Sequence, residues 1–163
     1  MILHYKLTFL DYWHLGSGLS SGAKLDSSVI KDSNNITYLP GKTLKGLTKE
    51  MVELLQKEST FLDKLHFGNA TLKKEVYNEV VSNQLQDNLY DVIASTQIKD
   101  GIAVDDSLRE IEVTIPLTLE GKVLNITSKE EFETLKKALL MIKRVGLNRN
   151  RGLGRCKFEV EMA

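Results

Sequence analysis

The sequence is poor in the residues that staple or metallate a small protein. It holds one cysteine, Cys156, and three histidines, His4, His14 and His66. A lone thiol closes no internal disulfide, and four scattered ligand-type residues make no tetrahedral zinc site. The single cysteine fits a reducing, cytoplasmic compartment. Apolar runs are short, none approaching the roughly 18 residues that a membrane-spanning helix needs. The start, "MILHYKLTFLDYW", has neither a basic leader nor a small-residue cleavage site, so no secretory signal is expected there. No glycine run has the GxxxxGK[ST] or GxGxxG spacing of a nucleotide loop.

What is present is an ordinary globular composition, 42% hydrophobic and 27% charged over 163 residues. That length predicts one domain, 1–163, with room for a real core. The zero net charge conceals a segregation. From Lys136 to Lys157 there are eight basic residues and no acid, whereas Asp100 to Glu133 carries nine acids against three bases. A basic block beside an acidic one points to an anionic partner at one face, or to a solvated helix followed by a basic turn.

Period-two alternation marks a first strand, "LHYKLTF", with Leu3, Tyr5, Leu7 and Phe9 inward. A Gly/Ser-rich stretch follows. "VIKDSNNITYLPG" reads as two extended pieces joined across Asp32–Asn35 and ended by Pro40–Gly41. A helix is expected from Thr43, burying Leu47, Met51, Leu54 and Leu55. Residues 60–100 mix helical and extended signals, with one sheet strand concealed among them. "EIEVTIPLTLEG" predicts one long strand, Pro116 marking an edge or bulge, with "KVLNI" as a return strand. Ser128 and Glu131 form a capping box for a helix burying Phe132, Leu135, Leu139 and Ile142, with Gly146 as its C-cap. "RCKFEVEM" is the last strand. This order is the α+β, ferredoxin-like or RRM-like βαββαβ plan: an antiparallel sheet with helices on one face and the other face or an edge free for a partner.

Two constellations could carry chemistry. In "VGLNRNRGLGR", Gly152 and Gly154 permit conformations that bring backbone N–H groups to an anion, while Arg149, Arg151 and Arg155 can fork onto phosphate oxygens. The loop follows a helix C-terminus, where the dipole disfavours phosphate, so a plain basic turn reads equally well. In "WHLGSGLSSGAKLDSSVIKDSNNITYLPGKTLKG", His14 precedes the Gly/Ser loop and Asp26 follows it. Lys42, Thr43 and Lys45 sit at a helix start, which is a natural anion site. A loop carboxylate such as Asp26 can orient a ribose hydroxyl or hold a divalent metal, or it can simply cap a turn.

Together these segments resemble the RAMP superfamily of CRISPR-associated proteins, most closely the repeated backbone subunit of type III effector complexes. The similarity runs through Trp13-His14-Leu15-Gly16, Asp26 before Val29-Ile30-Lys31-Asp32, and Pro40-Gly41-Lys42-Thr43-Leu44-Lys45-Gly46. It continues through "LHFGNA" (65–70), "TQIKDGIAVDDSLREIE" (96–112) and "RNRGLGRCKF" (149–158). The resemblance implies a RAMP fold with a reduced thumb insertion, and a subunit that binds guide RNA by its backbone beside copies of itself and other effector subunits. Lys42, Lys45, Arg149, Arg151 and Arg155 would grip guide phosphates without reading sequence. Asp26, as the catalytic and metal-binding residue, would support cleavage of paired single-stranded target RNA with Mg or Mn. A non-cutting RNA-binding subunit, or a guide-processing endoribonuclease of the same superfamily, are the other readings the resemblance allows.

Overall fold

The computed structural model describes residues 1–17, 28–95, 98–103, 109–147 and 152–163, with four of them (95, 98, 99 and 103) described by backbone alone. Strands β1 (Leu3–Phe9), β2 (His66–Phe67), β7 (Thr118–Leu124) and β8 (Cys156–Met162) form one sheet in the order β2-β7-β1-β8. β1 lies antiparallel to both neighbours, Tyr5 facing Gly121 on β7 and Val160 on β8. Helices α1 (Gly41–Leu54) and α3 (Lys129–Met141) pack together over one face. The connection β1-α1-β2, then β7-α3-β8, with β1 central, is the ferredoxin-like arrangement.

Between β2 and β7 the chain inserts residues 68–117. They contribute α2 (Lys74–Ser82), a ribbon of β3 (Tyr90–Ser95) paired with β6 (Arg109–Thr114), and a terminal hairpin of β4 (Ile98–Lys99) and β5 (Ile102–Ala103). Asp100 and Gly101 both have positive φ at the hairpin turn, the geometry a tight two-residue connection requires. The ribbon occupies the position expected for a thumb.

Leu3, Tyr5, Leu7 and Phe9 alternate inward from β1 and meet Leu44, Val52, Leu135, Leu139 and Phe158 in one core. The strand concealed in residues 60–100 is β2, only two residues long. Three expectations for the second half of the chain need correction. "EIEVTIPLTLEG" is two strands in different sheets, because Pro116 cannot continue a ladder and the chain changes partners there: Ile115 N–H donates to Leu89 and Phe9 N–H to Leu117. "KVLNI" is no return strand, since its first three residues complete β7. Gly146 is no C-cap either; α3 ends at Met141, and Gly146 serves a tertiary contact described below.

Helix α1 begins two residues before Thr43. Pro40, lacking an N–H, precedes it, and Asn69 Oδ1 accepts the Gly41 N–H at 2.9 Å, a cap supplied from outside the helix. A Cβ on Gly41 would sit 1.9 Å from the Phe67 carbonyl oxygen, so only glycine lets the helix start lie against β2. The buried stripe is Leu44, Thr48 and Val52, flanked by half-buried Leu47, Met51 and Leu55, while Leu54 is 67% exposed. Thr48 escapes a polar penalty because its hydroxyl donates to Leu44 O at 2.8 Å.

The α3 capping signature forms, in modified shape. Ser128 Oγ accepts from Glu131 N–H at 3.1 Å, while Glu131 reaches back to Thr127 N–H at 2.9 Å. Lys64 Nζ also bonds the Glu131 carboxylate and Thr127 Oγ1. First through the Lys64 ammonium and then through the Thr127 amide, the Glu131 carboxyl is held down at about 2 from an ordinary 4.5. A depressed carboxyl stabilises the fold above its unfolded value and loses that contribution as pH falls from 4.5 towards 2. Glu131→Gln should therefore lower the melting temperature at pH 7 by about 2–4 °C, the shift that roughly 1 kcal/mol produces in a chain this size. The gap from the unsubstituted protein should close as thermal unfolding is followed down to pH 2.

Candidate nucleic-acid interface

Beyond β1 the chain forms a short ribbon with itself. Ile30 N–H donates to Leu15 O at 2.8 Å, Ser17 N–H to Ser28 O at 3.1 Å, and the Ser17 and Ser28 hydroxyls meet at 3.0 Å. These contacts close the stems of the segment 18–27, which contains Asp26 and lies outside the described residues.

The ribbon is fastened to β6. Trp13 and Thr114 exchange both backbone hydrogen bonds, and Trp13 Nε1–H donates to Ile115 O at 3.1 Å. The Trp13 ring is fully buried and stacks on Phe9 at 4.0 Å between centroids. Glu112 holds both stems. Its carboxylate accepts from Val29 N–H at 3.0 Å and from Lys31 Nζ at 2.8 Å, and its carbonyl accepts from His14 Nδ1. Lys31 also lies over the Tyr90 ring, 4.4 Å from its centroid.

His14 thus occupies a buried, bonded position, and its ring presents no surface to a ligand. Its geometry makes it a pin between stem and ribbon. Glu112, which makes that pin possible, looked from the sequence like one more solvent-facing acid on an alternating strand.

The glycine loop packs on the same region. Gly146 (φ +101) abuts the His14 carbonyl and Gly154 (φ +76) abuts Val145 O, each too closely to admit a Cβ. Leu147 N–H donates to His14 O and Gly154 N–H to Tyr12 O, both at 2.8 Å. The Gly154 amide is therefore committed internally, whereas Gly152 (φ +91) has open space around it. Arg149 and Arg151 lie outside the described residues. Arg155 is exposed and paired with Asp11, Nε to Oδ2 at 3.1 Å. Beside it, Cys156 is buried, and burial pushes its thiol up to about 12, so it stays protonated and unreactive.

The second basic group is placed elsewhere. Lys42 is exposed and Thr43 half-buried at the start of α1, against the β2 edge of the sheet; Lys45 pairs loosely with Asp63 at 3.7 Å. Arg155 precedes β8, the opposite edge strand, so β1 and β7 lie between the two groups. The sheet face away from the helices carries Lys6, Lys122 and Lys157 against Glu120, Glu159 and Glu161, with the imidazoles of His4 and His66 as the rings among its strand residues. Balanced charge without Phe, Tyr or Trp among these strand residues is a poor platform for single-stranded bases, which stack on broad aromatic faces. Among the described residues no three His, Cys, Asp or Glu side chains come together as a metal site.

Residues 6–157 match the family model of the RAMP superfamily. The chain belongs to the RAMP superfamily. The RAMP fold here is similar to a chain in the cryo-EM structure of the type III-B Cmr-beta bound to cognate target RNA. That match has TM-score 0.75 and 10% identity, and covers 98% of this chain and 97% of that one. The apo state of Cmr-beta gives TM-score 0.69 over the same coverage, again at 10% identity. Such identity speaks to fold, and the two chains share it nearly end to end. No curated protein sequence matches this RAMP chain.

Because Glu112 serves two donors, its variants separate two losses. Glu112→Ala should lower the unfolding free energy by about 2–3 kcal/mol, since it removes charge-assisted bonds and strands the partly buried Lys31 ammonium. Glu112→Gln keeps an acceptor for Val29 N–H and should cost about half as much in urea titration. Amide exchange at Val29 should accelerate in the alanine variant and change little in the glutamine one.

Proposed function

We propose that this RAMP chain is a subunit of a type III-like CRISPR ribonucleoprotein, that it grips guide RNA by its backbone, and that Asp26 promotes metal-dependent cleavage of the paired target RNA. The observation that carries the reading is the Glu112 junction. It ties both stems of the Asp26 segment to the root of the inserted ribbon. A carboxylate supplied by that segment and a ribbon that can press on a nucleic-acid strand thus share one anchor. The end-to-end likeness of fold to a chain of the Cmr-beta assembly bound to cognate target RNA supports the same assignment.

In this reading Lys42, Lys45, Arg149, Arg151 and Arg155 hold phosphates, with Thr43 and the Gly152 amide as neutral donors. Such contacts position a strand without reading its bases. The ribbon displaces a target nucleotide so that its neighbouring 2′-hydroxyl comes into line with the adjacent phosphate, and Asp26 orients that geometry. A divalent ion such as Mg or Mn, which Asp26 would help to hold, would supply positive charge beside the reacting phosphate. Other subunits and further copies of the chain complete the complex.

In a reconstituted complex, Asp26→Ala should leave target binding intact and slow cleavage at least about 100-fold, the lower range for losing a positioned acid–base group. Cleavage at the original rate would remove the catalytic role of Asp26, and no divalent-dependent cleavage even by the unsubstituted complex would leave a non-cutting, RNA-binding subunit as the function. Both outcomes are read on a denaturing gel with labelled target in Mg or Mn.

A further inference from the structure

Arg144 and Arg155 face each other across an antiparallel bridge. The bridge is flanked by Cys156 N–H donating to Lys143 O and Val145 N–H donating to Gly154 O, both at 2.9 Å. The two arginines therefore hold the non-hydrogen-bonded position, where opposite residues on a ribbon approach most closely and share one face. Like charges placed there repel, and folding alone gives no reason to put two guanidiniums opposite each other. Asp11 relieves only one of them. Its carboxylate takes Arg155 Nε at 3.1 Å and reaches an Nη at 3.5 Å. Arg144 is exposed, and among the described residues it makes no ion pair. Three charged groups thus leave one positive charge on a ribbon whose backbone is fixed at both ends.

We propose that Arg144 and Arg155 are the two arms of a clamp for RNA phosphates, and that Asp11 holds the Arg155 arm until phosphate displaces it. This rests on the RNA-binding reading above and adds to it a binding residue, Arg144, and an internal competitor, Asp11. The guanidinium edge that Asp11 engages is the one that forks onto phosphate, so carboxylate and phosphate compete for the same donors. The exposed ion pair is weak enough to be exchanged. Held in this way, Arg155 stays extended in the RNA-free chain, and its competitor raises the threshold against stray anions.

The test is fluorescence anisotropy of the full chain with a labelled, unstructured single-stranded RNA, titrated across roughly 50–300 mM KCl. Arg144→Ala should weaken binding about 3- to 10-fold and reduce the salt slope by about 0.7, the contribution of one phosphate contact on a single strand. Asp11→Asn should tighten binding about 2- to 5-fold, the effect an exposed ion pair can withhold. The double variant Asp11→Asn/Arg155→Ala should show no such gain. All three residues are on the surface, and melting curves check that each variant remains folded. RNA binding that ignores Arg144→Ala, or that is unchanged or weakened by Asp11→Asn, overturns the clamp and leaves the wider reading standing. Equal tightening of Asp11→Asn towards poly-glutamate overturns its preference for phosphate. An unsubstituted chain that binds no RNA at all removes the RNA-binding reading and the clamp together.

Discussion

The arrangement depends on one partly buried carboxylate. Glu112 belongs to the inserted ribbon, yet its bonds reach Val29 and Lys31 on the segment that follows β1, and its carbonyl secures His14. An anion at 13% side-chain exposure is tolerable only with charge-assisted partners, and Lys31 at 2.7 Å provides one. Tyr90 extends the junction, receiving Lys31 on its ring and donating its hydroxyl to Asn35 O at 2.7 Å. Without Glu112 the insert keeps its other ties, among them the Trp13–Thr114, Leu39–Ala70 and Thr71–Glu120 backbone pairs, but the stem at Val29 and Lys31 loses its charged anchor. Fold and candidate chemistry therefore meet at a single charge.

Around this junction, electrostatics separate surfaces that composition averages to zero. Basic groups stand at both edges of the sheet, at the α1 start and beside β8, while the open face between them is neutral in sum. A strand following its phosphates would be drawn to the edges. The field therefore favours a partner that wraps the molecule over one that lies flat upon the sheet.

Period-two alternation placed β1 and β8 almost to the residue, because a strand buried on one face must alternate. The α3 stripe of Phe132, Leu135 and Leu139 was equally legible, and its capping signature is real. α1 was misread by two residues at its start and by one position on its face. Its cap comes from Asn69 and its inward threonine bonds its own backbone, and neither leaves a hydrophobic signal. The ribbon insert was anticipated by family resemblance alone; local pattern concealed it, because Pro116 sits in an unbroken alternation that in fact changes sheets. For the candidate site, the loop motif marked Gly152, Gly154 and Arg155, but not that the Gly154 amide is committed to Tyr12 O. The burial of His14 and the facing of Arg144 with Arg155 depend on tertiary pairing, which no local pattern encodes.

The crowded glycines have a consequence for how this surface can vary. Gly146 and Gly154 press against the His14 and Val145 carbonyls, so the loop between them is clipped at both ends by backbone rather than by side-chain chemistry. Neither contact uses a charged side chain, so the crowding constrains the two glycine positions and not the charge around them. Any larger residue at either glycine would have to move a carbonyl of the stem or of the chain after α3, so these two positions are fixed by backbone contact alone.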